Sequence, residues 1–143
     1  MIKFRAWDKK HKRWMTPEIE DSEESEIRLD LWGNVEFTLP WWEQGADTVY
    51  TVDGSEMFDI MQSTGLKDKN DVEIFDGDII VNHVGDIWVI TYFRGAFRYY
   101  PIESYSKDKE KLFETDNIGN FGTEAFEVIG NIYEDTEWRI NYV

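Results

Sequence analysis

Asp76-Gly77-Asp78 sets two carboxylates one residue apart, a fragment that could hold Mg or Ca through oxygen ligands. An EF-hand loop counted from Asp68 fails, because Val72 falls at its fifth position. The pattern is therefore read as a turn that opens a strand. His11 and His83 are far apart, and with no cysteine in the chain two lone histidines do not point to a zinc site, which needs three or four ligands. There is no Gly-x-Ser-x-Gly elbow, and Gly119-Asn120-Phe121-Gly122 lacks the Lys-Ser/Thr ending of a phosphate-binding loop. The 30 acidic residues guarantee some close pairs by number alone, so their pairing does not point to glycoside hydrolysis. No catalytic residue, metal ligand set or cofactor site is assigned, and the expectation is a protein that is not an enzyme.

Three groups of residues could instead make contacts. In Tyr92-Phe93-Arg94-Gly95-Ala96-Phe97-Arg98-Tyr99-Tyr100, rings alternate with guanidiniums, and Arg94, Phe97, Arg98 and Tyr99 resemble the stacking platform of a single-strand nucleic-acid binder. Strand alternation would send half of those rings into a core. Trp41 and Trp42 form the second group: adjacent indoles in a strand face opposite sides, which leaves one of them at least partly exposed, and exposed Trp is enriched at interface hot spots. The third group is the basic tip Lys9, Lys10, Lys12 and Arg13. It is read as a hairpin end against its own acidic neighbour, or as a docking patch.

Charge narrows the partners. The 143 residues carry 15 bases and 30 acids, a formal charge of -15. Residues 1–14 hold six bases and Asp8, a net +5, so the rest of the chain carries -20. Residues 18–30 alone contribute -6. Such a body repels duplex nucleic acid, whose binding needs Lys and Arg to replace released counterions, and would steer a cationic protein. Aromatic residues make up 16% of the chain, more than an acidic disordered sequence would contain, so a packed core is expected. The start lacks the apolar stretch of a secretory signal, and no apolar run approaches the ~18 residues of a membrane span.

These groups need elements to position them. Residues 2–7 alternate as a half-buried strand, and Arg13-Trp14-Met15 returns after a polar turn. Residues 27–31 and 35–39 form a second hairpin, and a three-residue loop pairs Leu31 with Val35, Leu29 with Phe37 and Ile27 with Leu39. Residues 47–52 read as a strand, while 55–62 fit a short helix or a buried strand equally. After a turn at 66–71 come strands at 73–75, 78–83, 87–93 and 96–100, with two-residue turns at Gly85-Asp86 and Arg94-Gly95. Residues 107–113 are a loop or one helical turn, and a long strand at 125–133 would close a barrel.

Three blocks stand in a distinctive order: Ile2 to Asp8, Met61-Gln62-Ser63-Thr64-Gly65-Leu66-Lys67-Asp68-Lys69-Asn70 running on through Glu73 to Ile80, and Glu127-Val128-Ile129-Gly130-Asn131-Ile132-Tyr133-Glu134. Together they resemble the YopX family, small proteins of temperate phages and prophages of Gram-positive bacteria. This chain has Asn70-Asp71 where the family often has Asn-Gly, and Asp135-Thr136 where it often has Asn-Pro. The resemblance implies a mostly β protein of phage origin acting inside a bacterium, and it implies no reaction.

The expected fold is mainly β: N-terminal β-hairpins over residues 1–62 plus a C-terminal small SH3-like β-barrel over 63–143, with short helical turns, packed as two parts or as one YopX-like domain. The expected function is a non-enzymatic protein-binding module with an acidic surface, acting on a host or phage protein in the bacterial cytoplasm. The alternative is a single-stranded nucleic-acid-binding barrel. Self-association is a further expectation.

Overall fold

The computed structural model describes residues 3–44, 51–105, 118 and 122–134. It contains two compact units, one of residues 5–60 and one of residues 1–4 with 61–143. The protein is mainly β.

In the unit of residues 5–60, β1 (Phe4–Asp8) pairs with β2 (Arg13–Trp14) antiparallel, setting Trp7 opposite Trp14 with their rings 5.0 Å apart. The acidic stretch that follows is partly helical. Pro17–Glu23 forms a helix, α1, capped by Thr16, whose hydroxyl accepts from the Ile19 N–H. Pro17 occupies the first turn, where its missing N–H leaves no helical bond unmade, and Glu18 and Glu20 lie at the positive end of the helix. Next, β3 (Glu26–Leu29), β4 (Val35–Thr38) and β5 (Thr51–Asp53) form an antiparallel sheet in that order. Ala6, Phe37 and Phe58 centre the core of this unit, with Met15, Ile27, Leu39 and Val52 packed around them. Residues 47–50 of the expected 47–52 strand lie outside the described residues.

The ambiguous 55–62 stretch resolves as the start of β6 (Phe58–Lys67). Phe58 and Met61 are both buried although three residues apart, and a strand covered on both faces carries no period that separates it from a helix. β6 pairs with β7 (Glu73–Phe75), with an irregularity between Ser63 and Lys67. There Gly65 has φ +77, and the Thr64 hydroxyl donates to the Ile74 carbonyl.

The remaining strands, β8 (Asp78–Val81), β9 (Ile87–Phe93), β10 (Ala96–Pro101) and β11 (Glu127–Asn131), form a sheet ordered β10-β9-β8-β11. The expected SH3-like barrel does not close. β11 pairs with β8, so β10 and β11 stand at opposite edges of an open, curled sheet. Both faces of the sheet are covered. Ile79, Val89, Tyr100 and Ile132 pack on one side, and Ile80, Ile90, Ile74 and Phe126 pack on the other. This explains the continuous apolar run Ile79-Ile80-Val81 in place of alternation. Residues 107–113 lie outside the described residues.

Three hairpins close through one five-residue loop, where the expectation was three residues after Leu31, two at Gly85-Asp86 and a turn over 66–71. In residues 30–34, 68–72 and 82–86 the first residue is Asp or Asn, and its N–H donates to the carbonyl of the fifth. Its side-chain oxygen accepts the N–H groups of the third and fifth residues, as in Asp30 with Trp32 and Asn34 or Asn82 with Val84 and Asp86. The fourth residue, Gly33, Asp71 or Gly85, has positive φ. An Asx side chain standing in for backbone is what lets so short a loop satisfy its own donors. The 27–39 hairpin therefore pairs Leu29 with Val35 and Ile27 with Phe37, two residues away from the expected register. Apolar residues still face apolar ones because five, like three, is odd.

Candidate interaction cleft

The 5–60 unit holds a cleft of about 340 Å³. Its apolar lining comes from Met15, Phe37, Pro40, Trp42, Met57 and Phe58. Lys9, Lys10, His11 and Arg13 of the β1–β2 turn line it as well, and Glu23, Glu43 and Glu56 supply acids. A small cleft with an apolar interior and charges of both signs suits one large side chain of a partner together with its charged flanks.

The basic tip is fixed by its own carboxylates. Asp8 accepts the N–H groups of Lys10 and His11, each at 3.1 Å, and lies 2.7 Å from His11 Nδ1. Burial would raise the Asp8 carboxyl, but the His11 contact and these N–H groups outweigh it and hold the carboxyl below its ordinary range. Arg13 reaches Glu23 at 2.7 Å and Asp8 at 3.4 Å, and Lys9 reaches Asp59 at 3.4 Å. Arg13 thus ties the tip to α1. Lys10 and Lys12 form no ion pair among the described residues.

Trp41 and Trp42 are not in a strand. They lie in a turn after Pro40, half exposed at 58% and 50%, with rings 5.5 Å apart and edge-on. The Trp41 N–H donates to the Glu23 carbonyl at 2.8 Å. Of the interaction candidates, Lys9, Lys10, Arg13 and Trp42 line the cleft, whereas Lys12 and Trp41 do not.

The aromatic stretch sits in the other unit. Arg94 and Gly95, both at positive φ, make the expected two-residue turn, and Phe97 pairs with Tyr92 across it with rings 5.2 Å apart. Phe97 and Tyr99 pack against the core beside Ile80 and Ile90. Arg98 donates to the Phe93 carbonyl at 2.8 Å and the Arg94 carbonyl at 3.3 Å, so its guanidinium closes the hairpin. Arg94 lies 5.1 Å over the Phe93 ring.

The carboxylates of Asp76-Gly77-Asp78 also serve the backbone. Asp78 accepts from the Phe75 N–H at 2.8 Å and from Asn131 Nδ2 at 3.0 Å, while Asp76 accepts from the Tyr92 N–H. Gly77 has φ +85, and a Cβ there would lie 2.7 Å from the Tyr133 ring. Asp68 accepts from Asn70 and Val72 in its own loop and, through its second oxygen, from Val128 at 2.9 Å. The 61–80 and 127–134 blocks are thereby fastened to each other. Among the described residues, no three His, Asp or Glu side chains converge as metal ligands would, and no helix is long and apolar enough to cross a membrane.

Sequence reasoning missed Leu31 and Trp32, which stand 99% and 88% exposed in the middle of the 30–34 loop. The available signal was composition: two large apolar residues sit where the 68–72 loop carries Lys69-Asn70. It also missed Met15, Pro40 and Met57 in the cleft, which neither motif nor period marks.

Residues 3–138 match the YopX family, described as YopX protein. Among solved structures the chain is similar to the crystal structure of protein EF1440 from Enterococcus faecalis, at 27% identity over 96% of each chain with a TM-score of 0.56. No curated protein matches the chain.

Proposed function

We propose a function on one premise: the chain belongs to the YopX family of phage and prophage proteins, which its match over residues 3–138 establishes. The protein is an accessory module that holds a protein partner in the cytoplasm of the bacterial host and performs no reaction on it. The cleft of the 5–60 unit carries this reading, because it gathers Trp42 with Lys9, Lys10, His11 and Arg13 around an apolar interior. The blocks that define the family support it from the other side, since their carboxylates are engaged in joining strands. A cationic host or phage protein fits best: the -20 body steers it electrostatically, and the cleft anchors one of its large side chains.

Capture from host lysate on the immobilised protein tests this. Trp42→Ala, at an exposed position, leaves the fold intact and is expected to remove the captured partner, and raised salt is expected to weaken capture. Empty beads, or capture indifferent to both changes, would contradict the reading. The alternative, single-strand nucleic-acid binding through Arg94, Phe97, Arg98 and Tyr99, has less support, because Arg98 is held by its own hairpin and Phe97 and Tyr99 lie in a core. A shift of short oligonucleotides lost in Phe97→Ala/Arg98→Ala would favour it.

A further inference from the structure

Leu31 and Trp32 form an apolar knob on the β3–β4 hairpin, and the knob is held ready in shape. Asp30 accepts the N–H groups of Trp32 at 2.8 Å and Asn34 at 2.9 Å and the Asn34 side-chain amide at 2.7 Å, so the loop that presents the knob is fixed before any partner arrives. The only base on this hairpin, Arg28, is matched by Glu26 at 2.8 Å. Arg28 also faces Glu36 across β3 and β4, so four acids, Glu26, Asp30, Glu36 and Asp53, surround the knob against this single base, with Glu36 and Asp53 opposite one another across β4 and β5. The knob is therefore apolar at its tip and acidic at its base. Its complement is an apolar recess with an unpaired base at its rim, large enough for an indole.

The cleft of the same unit has that chemistry. It has about 340 Å³ of space and an apolar lining, and of its lining bases Lys9, His11 and Arg13 are held by Asp59, Asp8 and Glu23 while Lys10 forms no ion pair among the described residues, with Glu43 and Glu56 also on the lining. The knob does not line the cleft of its own chain. We propose that the Leu31–Trp32 knob of one copy seats in the cleft of a second copy, with Lys10 facing the acidic base of the incoming hairpin. The two surfaces differ, so the contact is heterologous and its repetition gives a ring or an open chain of copies. It rests on the cleft being a binding site, and it adds regulation: a copy seated in the cleft competes with the partner. One knob buries little area, so association is weak, with a Kd between about 1 µM and 1 mM.

Sedimentation of the full chain from about 1 µM to about 1 mM, spanning that range, tests the contact. The wild type is expected to gain mass with concentration. Leu31→Ser/Trp32→Ser, with an unchanged urea curve because both residues are solvent-exposed, is expected to stay monomeric. Lys10→Glu is expected to weaken association several-fold, and mixing it with Glu36→Lys to recover it. A wild type that stays monomeric throughout, a Leu31→Ser/Trp32→Ser variant that associates as well as the wild type, or a mixture that fails to recover would each overturn the proposal. Lysate capture separates this outcome from that of the functional reading. Leu31→Ser/Trp32→Ser keeps or increases partner capture if the cleft is the partner site, whereas Trp42→Ala lowers both capture and self-association.

Discussion

Replacing Asp68 by Ala should loosen the hold of β11 on the rest of its unit. Asp68 is nearly buried and accepts three N–H groups, from Asn70 at 2.8 Å, Val72 at 2.9 Å and Val128 at 2.9 Å. Asn70 and Val72 are exposed, so water can take their N–H groups, and losing each bond costs about 0.5–1 kcal/mol. Val128 is half-buried and its N–H is left without an acceptor, which costs about 2 kcal/mol. The sum is about 3–4 kcal/mol, or roughly a 10 °C fall in Tm for a chain of this size. Urea unfolding followed by Trp fluorescence at pH 7 measures it. The dependence on pH has a definite sign. Burial would raise the Asp68 carboxyl, but the Val128, Val72 and Asn70 N–H groups outweigh it, so its folded pKa lies below the ordinary value. The stabilisation is complete above the unfolded pKa of about 3.9 and is lost as pH falls below it through the folded value. The gap between wild type and Asp68→Ala should therefore narrow below about pH 4. A difference under about 1 kcal/mol at pH 7, or one that does not shrink in acid, would refute the reasoning.

Gly77→Ala is expected to cost about 2–4 kcal/mol in urea unfolding, because it combines a left-handed residue with a Cβ 2.7 Å from the Tyr133 ring. Asp71 has φ +66 at the loop position where the other two loops carry glycine. Asp71→Gly should thus change stability by no more than about 0.5 kcal/mol, while Asp71→Val costs about 1–2 kcal/mol, as the same measurement would show. Arg13→Ala removes the links from the hairpin tip to Glu23 and Asp8 and should cost about 1–2 kcal/mol, with faster amide exchange at Lys10 and Lys12.

The strand order from Asp78 to Pro101 was legible from the glycines that mark its turns, and β9 spans the expected residues, although β8 does not alternate and its loop to β9 is longer than expected. Closure was not legible. A strand at 125–133 of sufficient length could pair with either edge, and pairing with β8 is decided by contacts such as Asn131 to Asp78, 53 residues apart in sequence. Helix α1 hid behind its charge, although Thr16-Pro17-Glu18 carries a cap, a first-turn proline and an acid. The loops at 30–34 and 82–86 are longer than expected for one reason: an Asx side chain replaces backbone acceptors, so five residues do what three or two were expected to do. In the cleft, the basic tip and Trp42 could be named from the sequence, but nothing in it placed residues 9–13 beside residue 42. That proximity comes from Arg13 meeting Glu23 and from Trp41 bonding to the Glu23 carbonyl. The family blocks were the most visible text, and they build the frame between β6, β8 and β11.

Site-specific photo-crosslinking in the bacterial host tests the cleft most directly. A photoreactive side chain replaces Trp42 in one version of the protein, and in a control it replaces Val84, which is exposed on the 82–86 loop of the other unit. The account predicts discrete protein adducts at position 42, absent at position 84 and lost when Met57→Glu places a charge in the cleft. Adducts equal at both positions, or none at position 42, would contradict it.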